Sequence, residues 1–93
     1  MQMQPAAQRI SNAGRAFLGA GYVDESVDTF RDLIGAYQLK GDPKSIEMHY
    51  FYGRALEQQG DAGGALKAYS QVAQWNFNYA DVQQRIKKLR AKP

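Results

Sequence analysis

His49 is the only histidine in the sequence and there is no cysteine, so few residues could do chemistry. A lone histidine cannot form a histidine pair or a cysteine–histidine zinc site. Without thiols there is neither a disulfide nor a cysteine nucleophile. His49 therefore reads as a packed or half-buried helix residue. Asp24, Glu25, Asp28 and Asp32 bring four carboxylates together, but they lack the spacing and the glycine of a calcium loop. They suit the start of a helix, whose dipole favours acids. Gly60-Asp61-Ala62-Gly63-Gly64 is glycine-rich, yet no Gly-Lys-Ser/Thr follows and no strand precedes, so it reads as a helix-to-helix turn and not a phosphate cradle. Ser11, Ser26, Ser45 and Ser70 show no sign of activation as nucleophiles. No acid, base, nucleophile or ligand set is arranged for catalysis; no catalytic residue, metal or cofactor is assigned, and an enzyme is not expected.

The elements that would position any binding residues are helical. Ninety-three residues make one domain with a modest core, and 44% hydrophobic against 23% charged residues is ordinary for a globular chain. No run approaches the roughly 18 apolar residues of a membrane span. Met1-Gln2-Met3-Gln4-Pro5 has neither the basic nor the apolar region of a signal peptide, so the cytoplasm is the expected compartment, with the periplasm the alternative if a signal was removed. The net charge of +3 is uneven: the acids above lie early, while Arg85, Lys87, Lys88, Arg90 and Lys92 crowd the end. That basic end suits a helix C-terminus; nucleic-acid or membrane-surface binding is the weaker reading, and it would carry steep salt dependence.

Five segments have helical periodicity, divided at Gly21-Tyr22, Gly41-Asp42-Pro43, Gly60-Asp61 and Asn76-Phe77-Asn78. The first runs from about Pro5 to Gly19 with a thin stripe of Ile10, Ala13, Ala16 and Phe17. The second spans about Asp24 to Leu39, with Asp24 as N-cap, Gly41 as stop and Val27, Phe30, Ile34 and Tyr37 on one face. In the third, Pro43 opens the helix, Met48, Tyr52, Ala55 and Leu56 face inward, and Gly60 closes it. Asp61 caps the fourth, which turns Ala65, Leu66, Tyr69, Val72 and Ala73 inward; Val82, Ile86 and Leu89 define the fifth. Trp75, Phe77 and Tyr79 would seal the joint before that last helix.

An internal repeat organises these helices. Gly14-Arg15-Ala16-Phe17 with Gly21 matches Gly53-Arg54-Ala55-Leu56 with Gly60, and Ser26, Phe30 and Leu33 fall opposite Ala65, Tyr69 and Val72. The offset is 39 residues throughout (53 − 14 = 39), the signature of a helical-hairpin array.

At these residues the sequence resembles the tetratricopeptide repeat. The better copy, 45–78, matches through Gly53, Leu56, Gly60, Ala65 and Tyr69; the first, 6–43, is divergent and about five residues longer than the usual 34, matching through Gly14, Phe17, Gly21, Ser26 and Phe30. Phe77 stands where the pattern has its exit proline, and 79–91 resembles a capping helix. The resemblance implies an all-α fold of five helices in one domain over 1–93. It is a right-handed superhelical stack of two antiparallel hairpins plus a closing helix, in a protein of bacterial type that binds protein or peptide partners as an adaptor or scaffold. Two hairpins are near the lower limit for such an array, and the stripe of the first helix would be left exposed, for a preceding helix or a second copy to cover. Self-association is thus the alternative function.

By the same resemblance, the groove is lined by the outward residues of each first helix: Ser11, Arg15 and Leu18, then Glu47, Tyr50, Arg54 and Glu57, continued by Gln84 and Lys88. Arg15, Arg54 and Lys88 would form a basic row suited to a peptide bearing carboxylates, because arginine offers a planar fork of donors. The lysine and asparagine pattern of chaperone-binding relatives is not evident.

Overall fold

Three glycines with positive φ punctuate the chain: Gly21 (91°), Gly41 (86°) and Gly60 (96°). Only glycine adopts this left-handed conformation without strain, which is why helices so often stop beside it. The computed structural model describes residues 5–91. The N-terminal residues 1–4, on which the signal-peptide reading rests, and Lys92 of the basic end lie outside the described residues.

The described residues form α1 (Pro5–Ala20), α2 (Val23–Ala36), α3 (Pro43–Gln59), α4 (Ala62–Trp75) and α5 (Val82–Ala91), with no strand among them. The all-helical, five-helix architecture expected from the periodicity is therefore present. Each helix packs most extensively on its neighbours in sequence. The molecule measures 48 × 28 × 19 Å along its principal axes.

The caps explain the boundaries. Asp42 accepts a bond from the Ser45 backbone N–H at 3.1 Å and Pro43 opens α3. Asp61 accepts from the Gly64 N–H at 2.9 Å to start α4. At α2 the structure corrects the sequence reading: the N-cap is Tyr22, with no side-chain cap, and Asp24 lies inside the first turn. α2 also ends at Ala36, short of Leu39, because Tyr37 turns extended (φ −79°, ψ 127°). Lys40 Nζ then bonds the freed carbonyls of Ile34 and Tyr37 at 3.3 and 3.2 Å. The extra length of the first copy is thus a loop and not added helix.

Two helix crossings carry the repeat into three dimensions. A Cβ placed on Gly14 would come within 2.7 Å of the Phe30 ring, and one on Gly53 within 2.6 Å of the Tyr69 ring. Phe30 and Tyr69 are both fully buried. The hairpins have the same construction at the same 39-residue offset: a glycine in one helix receives an aromatic from the next. Ser26, also fully buried, tightens the first crossing by donating to the Gly14 carbonyl at 2.8 Å.

α1 departs from its apolar periodicity. Its buried face is Ala7, Ser11, Gly14 and Leu18, whereas Ala13 and Ala16 are exposed and Ile10 and Phe17 are 42% and 36% exposed. Small residues line the inner side because α2 approaches closely there. The more hydrophobic stripe is left outside, as the resemblance led us to expect.

Candidate protein-binding groove

α1, α3 and α5 share one surface on which a cleft of about 490 Å³ is lined by Asn12, Arg15, Leu18, Phe51, Arg54 and Gln58. A second depression of about 330 Å³, lined by Arg54, Glu57, Gln58, Arg85 and Lys88, shares Arg54 and Gln58 with the first. The two make one continuous trough. Phe51, half-buried in α3, is its centre: the Arg15 guanidinium lies 4.7 Å from the ring centroid and that of Arg54 5.9 Å. Arg54 is also 5.9 Å from the Tyr50 ring. Such stacking holds the arginine stems flat while leaving their donors free.

Charge along the trough is only partly neutralised. Arg15 pairs with Glu47 at 3.2 Å, and Lys44 meets the other oxygen of Glu47 at 2.9 Å and also bonds Gln8. Arg85 bridges Asp81 (3.0 Å) and Glu57 (3.0 Å). Arg54 and Lys88 have no carboxylate partner among the described residues.

The nine residues expected to line the groove separate accordingly. Arg15, Leu18, Arg54, Glu57 and Lys88 do line it, although Leu18 is 8% exposed and contributes only an edge. Ser11 does not: it is fully buried, and its hydroxyl has no hydrogen-bond partner among the described residues. Tyr50 is likewise in the core, at 6% exposure, packed against Phe51, Tyr69 and Tyr79. Its hydroxyl donates to Asp81 at 2.5 Å. Asp81, just before α5, thus holds Tyr50 of α3 by its hydroxyl. Glu47 is engaged by Arg15 and Lys44, and Gln84 lies on a separate depression with Asn78, Ala80 and Lys87.

These buried polar contacts set the ionisation of the neighbours. Burial opposes ionisation of Asp81, but the Tyr50 hydroxyl and the Arg85 guanidinium outweigh it and hold the carboxyl below its usual range. Burial raises the Tyr50 phenol, helped by its bond to Asp81. The Tyr69 phenol is raised further, first by burial and then by its 2.7 Å bond to Glu57. None of these groups is poised to titrate near neutral pH.

His49 is half-buried, as expected for a packed residue. It stacks edge-on against Trp75 at 5.0 Å, its Nδ1 donates to the Ser45 carbonyl at 2.8 Å, and burial lowers its pKa. Ser45 is one turn from His49, but its hydroxyl is occupied, accepting from the Gly41 N–H at 2.7 Å and donating to the Asp42 carbonyl at 3.1 Å. No group of three or more metal-ligating side chains occurs among the described residues. Of the aromatic run, Tyr79 packs on Tyr50. Trp75 packs on His49, beneath Gly41 and against the core cluster that includes Val82, and Phe77, 64% exposed, borders a depression with Gln83 and Ile86 of α5. Phe51, which sequence reasoning missed, is the central groove residue; its signal was its position between Tyr50 and Tyr52, one turn from Arg54.

No helix among the described residues is long and apolar enough to cross a membrane. In comparison with known proteins, no family model matches this sequence and no curated protein matches it.

Proposed function

We propose that this chain is a protein-interaction module of the tetratricopeptide type, a short right-handed superhelical stack. It binds an extended segment of a partner protein in the trough across α1, α3 and α5. The observation that carries the reading is the pair of arginines, Arg15 and Arg54, stacked over Phe51 in a continuous groove. The stack itself is supported by the 39-residue correspondence of the two glycine–aromatic crossings and by the succession of neighbouring helices.

The groove combines an aromatic floor with two cations, Arg54 and Lys88, that have no carboxylate partner among the described residues. A partner segment with a carboxylate beside an apolar side chain complements it, the first for the cations and the second for Phe51 and Leu18. The role is that of an adaptor or scaffold, not an enzyme, and the cytoplasm is the proposed compartment.

The test is pull-down and anisotropy titration against an acidic peptide library. Arg54→Ala and Lys88→Ala should each weaken capture several-fold while circular dichroism stays unchanged. Arg31→Ala, an exposed cation on α2 away from the trough, should have no effect. Equal capture by the Arg54→Ala/Lys88→Ala double variant overturns the reading.

A further inference from the structure

The 39-residue correspondence identifies a second surface, at the α1 end of the row. Between α2 and α4 lies a depression of about 370 Å³ whose floor is His49, Tyr52 and Leu56 of α3 and whose far wall is Asp61, Gly64, Lys67 and Gln71; Ile34 of α2 closes it on the other side. Subtracting 39 from the floor gives Ile10, Ala13 and Phe17, and from the wall Tyr22, Glu25, Asp28 and Asp32. All seven are exposed. They form the same surface without the helix that α2 supplies in the inner copy.

Local geometry supports the mapping. Ala6, Ile10, Ala13, Phe17 and Ala20 recur at spacings of three and four, so they make one continuous apolar stripe on α1. The Tyr22 ring meets Phe17 edge-on at 6.4 Å and its N–H bonds the Phe17 carbonyl at 2.8 Å, joining stripe to wall. Glu25, Asp28 and Asp32 then continue up α2 at the same helical spacing. Arg31 pairs with Asp28 at 2.5 Å, both ends well exposed, and leaves Glu25 and Asp32 unpaired among the described residues. Arg9, at the place of the fully buried Met48, marks the opposite edge of the stripe.

We propose that this open trough, floored by Ile10, Ala13 and Phe17 and edged by Glu25, Asp28 and Asp32, is a docking site. Its occupant is an amphipathic helix of another protein carrying lysine or arginine along one edge of its apolar stripe. The shape follows from the inner copy, where α2 flanks the equivalent depression through Ile34; the chemistry follows from the charge of the wall. A second copy of this chain fits poorly. A two-fold contact through the trough would bring two acid-rich walls into one interface, and a head-to-tail contact with the depression of Phe77, Ile86, Lys87 and Arg90 at the α5 end would propagate without closing. The site is separate from the groove over Phe51, so neither reading depends on the other.

The probe is a synthetic 18-residue helical peptide with leucines at three-four spacing and lysines along one edge, compared with the same peptide carrying glutamates there. Binding to the 93-residue chain is followed by fluorescence anisotropy, with amide NMR shifts to locate it. The expected result is lysine-peptide binding that shifts Ile10, Ala13, Phe17 and Tyr22. The affinity should fall at least tenfold with the glutamate peptide and again with the Glu25→Lys/Asp32→Lys variant, and weaken as salt rises. Ile10→Ser/Phe17→Ser, at positions already open to solvent, should abolish binding with the helical spectrum intact. Equal binding of the two peptides, shifts confined to Phe51 and Arg54, or no binding would each overturn the proposal. So would concentration-dependent self-association abolished by Ile10→Ser/Phe17→Ser, which would make a second copy the occupant.

Discussion

Gly53→Ala tests the construction on which the whole row of helices rests. In an exposed helix the change would be favourable by about 1 kcal/mol, since alanine is the better helix former. Here the new methyl would lie 2.6 Å from Tyr69 Cε1, 2.8 Å from Cδ1 and 3.1 Å from Cζ. Tyr69 cannot swing away, because its ring is fully buried and its hydroxyl is held by Glu57 at 2.7 Å. Overpacking of this kind costs about 1–3 kcal/mol, and a pinned ring belongs at the upper end, leaving a net loss of about 2 kcal/mol after the propensity gain. For a domain this size that lowers Tm by about 8–16 °C. Gly19→Ala, with no atom within 4 Å of the added methyl, should leave Tm unchanged or raise it. Urea and thermal unfolding of both variants, and of Gly53→Ala in a Tyr69→Leu background, give the assay. In that background the loss should shrink, since the methyl no longer meets a ring. A Gly53→Ala protein as stable as the parent would refute the close-packed crossing.

Other perturbations read other features. Ser11→Ala should be neutral or stabilising by up to about 1 kcal/mol in urea titration, because it removes a fully buried hydroxyl without a partner among the described residues. Asp61→Ala removes the α4 cap and should cost about 1 kcal/mol, seen as a lower Tm. Asp42 is held below the usual carboxylate range: burial opposes its ionisation, but bonds from Tyr37 and Ser45 prevail, and Asp81 behaves alike. A depressed folded-state pKa gives stability present above the unfolded value and lost as pH falls through the folded one. Unfolding midpoints should therefore hold above about pH 4 and decline below it, with the decline reduced in Asp42→Asn. At the alkaline end, burial and the Asp42 bond raise the Tyr37 phenol to about 12. Its contribution should be intact below about pH 10 and lost toward pH 12, so the alkaline decline should be smaller in Tyr37→Phe, with the raised phenols of Tyr50, Tyr69 and Tyr79 supplying the remainder.

How far the sequence revealed all this depended on what each helix face is made of. α3 and α4 were legible because Asp42-Pro43, Gly60 and Asp61 are strong punctuation and because Met48, Leu56, Tyr69 and Val72 are large apolar residues among their inward positions. The inner face of α1 was not, since close approach of α2 selects Ala7, Ser11 and Gly14 for size, and hydrophobic periodicity then points to the opposite side. Tyr50 was misplaced for a related reason. A register inferred from one hairpin says nothing of the Asp81 carboxylate, just before α5, that accepts the Tyr50 hydroxyl bond. Phe51 was overlooked because in sequence it is one aromatic among three, and only the fold sets Arg15, from a helix 32 residues away in its pairing with Glu47, above its ring.

The two ends of the row differ in a way that bears on both proposed surfaces. At one end α5 turns Gln84, Lys87, Lys88 and Arg90 outward, beside the exposed Phe77. At the other, α1 turns out Ile10 and Phe17 among alanines, an apolar stripe bordered by carboxylates. A partner helix docked on that stripe would bury part of α1 and hold it against α2 and α3. Arg15 and Leu18, which line the groove, sit on that same α1 one turn away. Restricting α1 would reduce the ordering cost of any segment bound over Phe51, the direction of positive cooperativity. Saturating the chain with the lysine-edged peptide should then tighten acidic-peptide binding in the groove. Unchanged affinity there would mean that α1 is already rigid and the two surfaces act independently.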